Sequence, residues 1–326
     1  MTDIADLGIR QVREVVSPGP WWDPLGDSSD LSPIAEKIQR ADYVRKFAAF
    51  RVVNLSVFET VSFDPAGGPP VYAQAAKVTP QYLEAVRNEH SNGCYAATRL
   101  SAGYGTLIRV GNWEAAHMFP PDADWTPQQD GGASRAMRYF QARIDGCNEG
   151  RARALAEGYR GKVQIFFEYV YQQSGPRDDG TPGTVSDMVE GLRNLRGVDL
   201  WSYSSWESIL YGDDIQATAL ANANSFRAAI ATFKDVCSAL LAGDSCRFMI
   251  GEFGYQNTRE ENPAVLQAIV NTTLDEGAEA VVSWILYDDP SQGAFGFFGS
   301  YDSEHQLTRQ GEMFRKLLLV SRPRRR

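Results

Sequence analysis

Long apolar runs are missing from this sequence, and none reaches the ~18 residues that a membrane-spanning helix needs. No membrane partner is expected. The amino terminus lacks the basic start and apolar stretch of a signal peptide. Histidine is scarce: His90, His117 and His305 do not cluster, and the four cysteines form no Cys-x-x-Cys pair. Zinc and thioredoxin-like chemistry therefore have no support, and no metal or other cofactor is expected. An excess of basic charge is missing too. The net charge is −9, and basic residues concentrate only between Arg322 and Arg326, which reads as a frayed, solvated tail. A nucleic-acid groove is not expected on that balance. No Gly-x-Ser-x-Gly elbow and no phosphate loop is found. There is also no composition break or low-complexity segment, so residues 1–326 read as a single domain.

What is present is an alternation of strand and helix patterns. Strand patterns begin near residues 9, 51, 107, 163, 199, 247 and 280. Between them lie helical stripes. Ser32-Pro33 opens a helix whose buried stripe is Ile34, Ile38, Ala41 and Val44, and Thr79-Pro80 opens another. Met137, Phe140, Ile144 and Cys147 mark one face of a third, and Phe226, Ile230, Phe233, Cys237 and Leu240 one face of a longer one. Cys94 and Cys147 read as small core residues; Cys237 and Cys246 flank a helix-to-strand loop and could be joined.

Such alternation predicts an α/β fold with a parallel sheet covered by helices, and the length suits a (β/α)8 TIM barrel. Seven strands are visible where the barrel needs eight. The segment before the first strand looks like the tail of a helix, so the expectation is a barrel lacking its first strand, which would lie upstream of Met1. A signal peptide would have been lost with that strand, so location stays open. The gap would leave two strand edges facing each other.

Charge enters this apolar framework at strand ends. Arg247 to Tyr255 is an apolar run ending in Gly251-Glu252-Phe253-Gly254, which puts a carboxylate at the carboxyl end of a buried strand. Thr106 to Glu114 is read as an earlier strand ending in Asn112-Trp113-Glu114. Two carboxylates on two strand ends can form an acid/base pair. Glu168, inside an aromatic strand, is either a charge on the floor of the site or the partner of an arginine. Trp21, Trp22, Trp125, Trp201 and Trp206 could offer flat stacking faces but default to wall positions. Asp288 and Asp289 follow the last strand.

These motifs, in this order, resemble the retaining TIM-barrel glycoside hydrolases of clan A. In that group an acid/base Glu follows an Asn at the fourth strand and a nucleophilic Glu ends the seventh. With the first strand missing, Glu114 falls on the fourth and Glu252 on the seventh. The resemblance implies Arg13 and Tyr203 near the nucleophile and Trp284 flooring the sugar site, with Asn112 and Glu168 as further substrate-site residues. It implies a hydrolase of β-linked sugars acting by double displacement, with carbohydrate as its partner. One departure is that Trp113 separates Asn112 from Glu114, where the family has the two adjacent; on a regular strand, residues two apart still share a face. The alternative is a non-catalytic carbohydrate-binding barrel that has kept the fold.

Overall fold

The computed structural model describes residues 10–17, 32–63, 70–74, 77–119, 134–170, 186–241, 246–256, 258–283, 300 and 306–320. Seven strands lie among them: β1 (Gln11–Val16), β2 (Val52–Val57), β3 (Leu107–Gly111), β4 (Lys162–Val170), β5 (Leu200–Ser204), β6 (Phe248–Phe253) and β7 (Val281–Ser283). The sheet follows sequence order from β1 to β7. All seven expected strands form. The helices are α1 (Ile34–Lys37), α2 (Ala41–Ala49), α3 (Pro80–Tyr104), α4 (Ala115–Met118), α5 (Arg135–Ala156), α6 (Ser186–Asn194), α7 (Ile215–Leu240), α8 (Asn262–Asp275) and α9 (Arg309–Val320). No described helix is long and apolar enough to cross a membrane. The expected upstream strand concerns residues outside those described.

The chain divides into two compact units, one from Arg10 to Trp201 and one that includes Ser202 onward. In the first, β1 to β4 pair in parallel, with Arg13 level with Asn54, Asn54 with Arg109, and Arg109 with Gln164. Side chains alternate across a strand, so these four, together with Ser56 and Glu168, share one face. The other face is apolar apart from Glu14, which pairs with Lys46 at 2.7 Å. There Phe167 packs edge-on against Phe140 of α5 and Trp201 of β5, at 5.1 and 5.7 Å.

Helices α3 and α5 pack against each other along their length. Thr79 Oγ1 accepts the Tyr82 N–H at the start of α3, and Ser134 Oγ accepts the Met137 N–H at the start of α5. A Cβ at Gly146 or Gly150 would collide with the backbone carbonyls of Arg87 and Ser91 on α3, so glycine is what admits the approach. Cys94 and Cys147 are buried as expected, and beyond that expectation they are bonded to each other, with Cα atoms 5.0 Å apart.

In the second unit Asp214 caps α7 by accepting the Ala217 N–H at 2.7 Å. Phe226, Ile230, Phe233 and Cys237 form its buried stripe. Phe233 packs on Phe248 of β6 at 5.4 Å, and Cys237 is bonded to Cys246.

Two elements differ from the sequence reading. The helix expected from Pro33 through Val44 is broken, because Arg40 is extended (φ −70°, ψ 155°) between α1 and α2. Ala41 is then exposed, and Tyr43 and Phe47 carry the stripe of α2. The strand expected to run to Glu114 stops at Gly111. Asn112 takes over the pairing there with its side chain.

Candidate active site

Three residues past β3, Glu114 occupies the cap position of α4 and is 2% exposed. The alternation rule for strands therefore does not govern Asn112 and Glu114. A ring of hydrogen bonds does. Asn112 Oδ1 accepts the backbone N–H of Glu168 at 2.9 Å, and Asn112 Nδ2 donates to the Glu168 carbonyl at 2.7 Å. The Glu168 carboxylate in turn accepts the Glu114 N–H at 3.3 Å. Gly111 makes this possible: a Cβ there would strike the carbonyl and ring of Phe166, its partner on β4.

Glu168 is fully buried and is held by Arg13, whose Nη1 and Nη2 reach its two oxygens at 2.8 and 2.6 Å. The other edge of that guanidinium is fixed by Ser56 Oγ, 2.9 Å from Nε and 2.7 Å from Nη2. A two-pronged Arg–carboxylate pair is among the strongest and most directional polar contacts available. Breaking a buried one by removing a single partner costs roughly 3–5 kcal/mol.

In the second unit, Glu252 is the penultimate residue of β6 and is 5% exposed. Between Ile250 and Phe253 the strand shifts register against Val281 to Ser283, placing three steps opposite two. Such an irregularity breaks the alternation that sends Phe248 toward α7 and re-aims the side chain at the strand end. The carboxylate Oε1 accepts the Trp206 Nε1–H at 2.9 Å. The Glu252 carbonyl accepts both the N–H and the hydroxyl of Ser205, at 2.9 and 3.0 Å. Trp206 lies in a single 3-10 turn after β5, Trp206–Ser208, and the Tyr203 hydroxyl braces that turn through Ser208 Oγ at 2.8 Å.

Sequence reasoning left Trp206 as a possible stacking surface and missed it as the donor to Glu252. The signal was its place one turn beyond a strand end, where an indole N–H meets a neighbouring strand. Trp284, Asp288, Asp289, Trp21, Trp22 and Trp125 lie outside the described residues.

A further buried charge was not anticipated. Glu59, two residues past β2, accepts hydrogen bonds from Tyr139 at 2.6 Å and Ser62 at 3.0 Å, and Arg143 Nε stands 2.7 Å from it. His90 Nε2 is 2.5 Å from Glu59 Oε1 and 3.0 Å from Arg143 Nε, and one nitrogen cannot serve both. The shorter contact places the proton on Nε2, directed at Glu59. Burial pushes Glu59 up, but the Arg143 charge and the donors around it outweigh burial and hold its carboxyl at about 2. Burial pushes His90 below its ordinary value, so its ring is neutral. Burial, then the Glu59 charge, pushes Tyr72 up to about 12. Among the described residues no His, Cys, Asp and Glu side chains group to hold a metal ion.

No family model matches the sequence, and no curated protein matches it. Solved structures do match in shape. An exo-β-1,4-mannosidase from an Opitutaceae bacterium aligns at a TM-score of 0.59 and 16% identity, over 98% of this chain and 55% of that one. Endo-glycoceramidase II from a Rhodococcus species aligns at 0.54 and 15%, over 96% and 72%. The fold is that of the TIM-barrel glycoside hydrolases. A family 1 β-glucosidase from Thermotoga maritima shares it at 0.54 and 11%, over 98% and 84%. The chain spans about half the length of the mannosidase, and identities this low speak to fold alone. In TIM-barrel enzymes the catalytic groups sit at the carboxyl ends of the strands. Glu252 is the penultimate residue of β6, and Glu114 follows the end of β3.

Proposed function

We propose that this protein is a hydrolase of β-linked glycosides that acts with retention, with Glu252 as nucleophile and Glu114 as acid/base. The observation that carries the reading is the Glu252 carboxylate at a re-aimed strand end, with one oxygen held by the Trp206 N–H. That hydrogen bond favours the ionised carboxylate, which is the form that attacks.

In the first step Glu252 bonds to the anomeric carbon as the bond to the leaving oxygen breaks, and Glu114 gives that oxygen its proton. In the second, Glu114 takes a proton from water while the water oxygen attacks the same carbon and releases Glu252. Asn112, Tyr203 and Trp284 belong to the sugar-binding surface in this reading. Aryl β-mannosides and β-glucosides are the first substrates to test, because a mannosidase and a glucosidase share the fold.

Glu252→Gln keeps the shape and removes the nucleophile. Turnover is expected to fall to background while sugar binding, followed by calorimetry, persists. Full activity in that variant would sink the proposal.

One observation favours a second reading, a carbohydrate-binding barrel without turnover. Trp113 separates Asn112 from Glu114, and Glu114 stands three residues past the end of β3, in the cap position of α4. Saturable sugar binding by the wild-type chain, with no hydrolysis of any aryl glycoside, would establish that reading instead.

A further inference from the structure

We propose that Glu168 is a positioning residue: it carries the Asn112-Trp113-Glu114 segment and thereby sets where the Glu114 carboxyl stands. The inference rests on the glycosidase reading above.

Three observations support it. First, Glu168 is fully buried, and its carboxylate is engaged by the Arg13 guanidinium and the Glu114 N–H. Second, its carboxylate has little freedom to turn. Arg13 holds both oxygens, and Ser56 holds Arg13 from the far edge. Third, the contacts around it close a loop. The Asn112 side chain grips the Glu168 backbone in both directions, and the Glu168 carboxylate accepts the Glu114 N–H.

The register gives this loop its purpose. Gly111 is level with Phe166, so continuing the ladder would set Trp113 level with Glu168. The ladder stops at Gly111 instead, and the side chains of Asn112 and Glu168 take over the work of backbone pairing. Trp113 is the residue that parts Asn112 from Glu114. Glu168 stands at the level where that extra residue must be accommodated, and it pins the backbone on the far side. An apolar residue at 168 would leave the Glu114 N–H without this acceptor and Arg13 without its counter-charge.

The test uses the full chain and aryl glycosides of the sugar that the wild type turns over, with dinitrophenol, nitrophenol and phenol as leaving groups. A good leaving group departs without a proton, and a poor one needs the acid. If Glu168 acts through Glu114, Glu168→Gln copies Glu114→Gln. The value of kcat/KM is little changed on the dinitrophenyl glycoside and falls about a hundredfold or more on the phenyl glycoside, the range lost with a general acid. Added azide, which attacks without a base, raises kcat in both variants. Because Glu168→Gln removes the charge that Arg13 faces, the paired variant Arg13→Gln with Glu168→Gln is measured beside it. An equal loss on all three leaving groups in Glu168→Gln, with no azide effect in that variant while Glu114→Gln shows both signatures, would overturn the inference and leave Glu168 a purely structural residue. A wild type that hydrolyses none of the glycosides, or a fully active Glu114→Gln, overturns the glycosidase reading itself and is distinguished by that control.

Discussion

A neutral indole N–H donates to Glu252, and its removal probes what that bond contributes. Trp206→Phe keeps the ring and takes away the hydrogen bond to a charged group, worth ~1.5–3 kcal/mol. The expected result is a fall of roughly ten- to hundredfold in kcat/KM, since about 1.4 kcal/mol is one factor of ten, with a nearly unchanged melting temperature. An unchanged rate would show that the bond does not serve catalysis. Residue-scale electrostatics also predict the acid response of the first unit. His90 is depressed by burial, so the unfolded chain binds its proton first, and its contribution to stability is lost as pH falls below the ordinary histidine value of about 6.5. Glu59 is also depressed, to about 2, and its contribution is lost later, as pH falls from the ordinary carboxylate range toward that value. Melting measured from pH 7 to pH 5 should therefore fall in the wild type and fall less in His90→Gln. Equal slopes would contradict the assignment of a neutral buried ring.

At the scale of elements, the sequence made the seven strands legible because each is a short apolar run bounded by turn residues. It placed Glu252 at its strand end for the same reason. It did not place Glu114, because the end of β3 is decided by Asn112 bonding the backbone of the next strand, 56 residues away, which no local pattern encodes. The register shift in β6 was invisible for a similar reason: it exists only against β7. The cluster around Glu59 joins the end of β2 to α3 and α5, and its members stand up to 84 residues apart in the chain, as with Glu59 and Arg143. Two glycines test the packing of α3 on α5. Gly150→Ala pushes a methyl into the Ser91 carbonyl and should destabilise by ~1–3 kcal/mol. Gly103→Ala, on the exposed end of α3 with open space at its Cβ, should stabilise by up to ~1 kcal/mol. Urea unfolding of both variants decides this, and a stabilising Gly150→Ala would refute the close contact.

On the scale of the whole molecule, the two disulfides restrain the unfolded chain by different amounts. Cys94–Cys147 closes a separation of 53 residues and Cys237–Cys246 one of 9. Loop entropy assigns about 4 kcal/mol to the first and about 3 to the second, so Cys94→Ala with Cys147→Ala should lower stability more than Cys237→Ala with Cys246→Ala. The reverse order in denaturant unfolding would count against a purely entropic account. We further propose that residues 1–326 act as one domain, in which case tryptophan fluorescence and far-UV circular dichroism unfold together; two separated transitions would favour independent units.

The central claim is that Glu252 forms a bond to the sugar. The most direct measurement is mass spectrometry of the full chain after reaction with an activated fluorosugar whose glycosyl-enzyme hydrolyses slowly. The account predicts one sugar per chain, on the peptide that holds Glu252, and none in Glu252→Gln. Label on Glu114 or Glu168, or hydrolysis with inversion and no label at all, would contradict it.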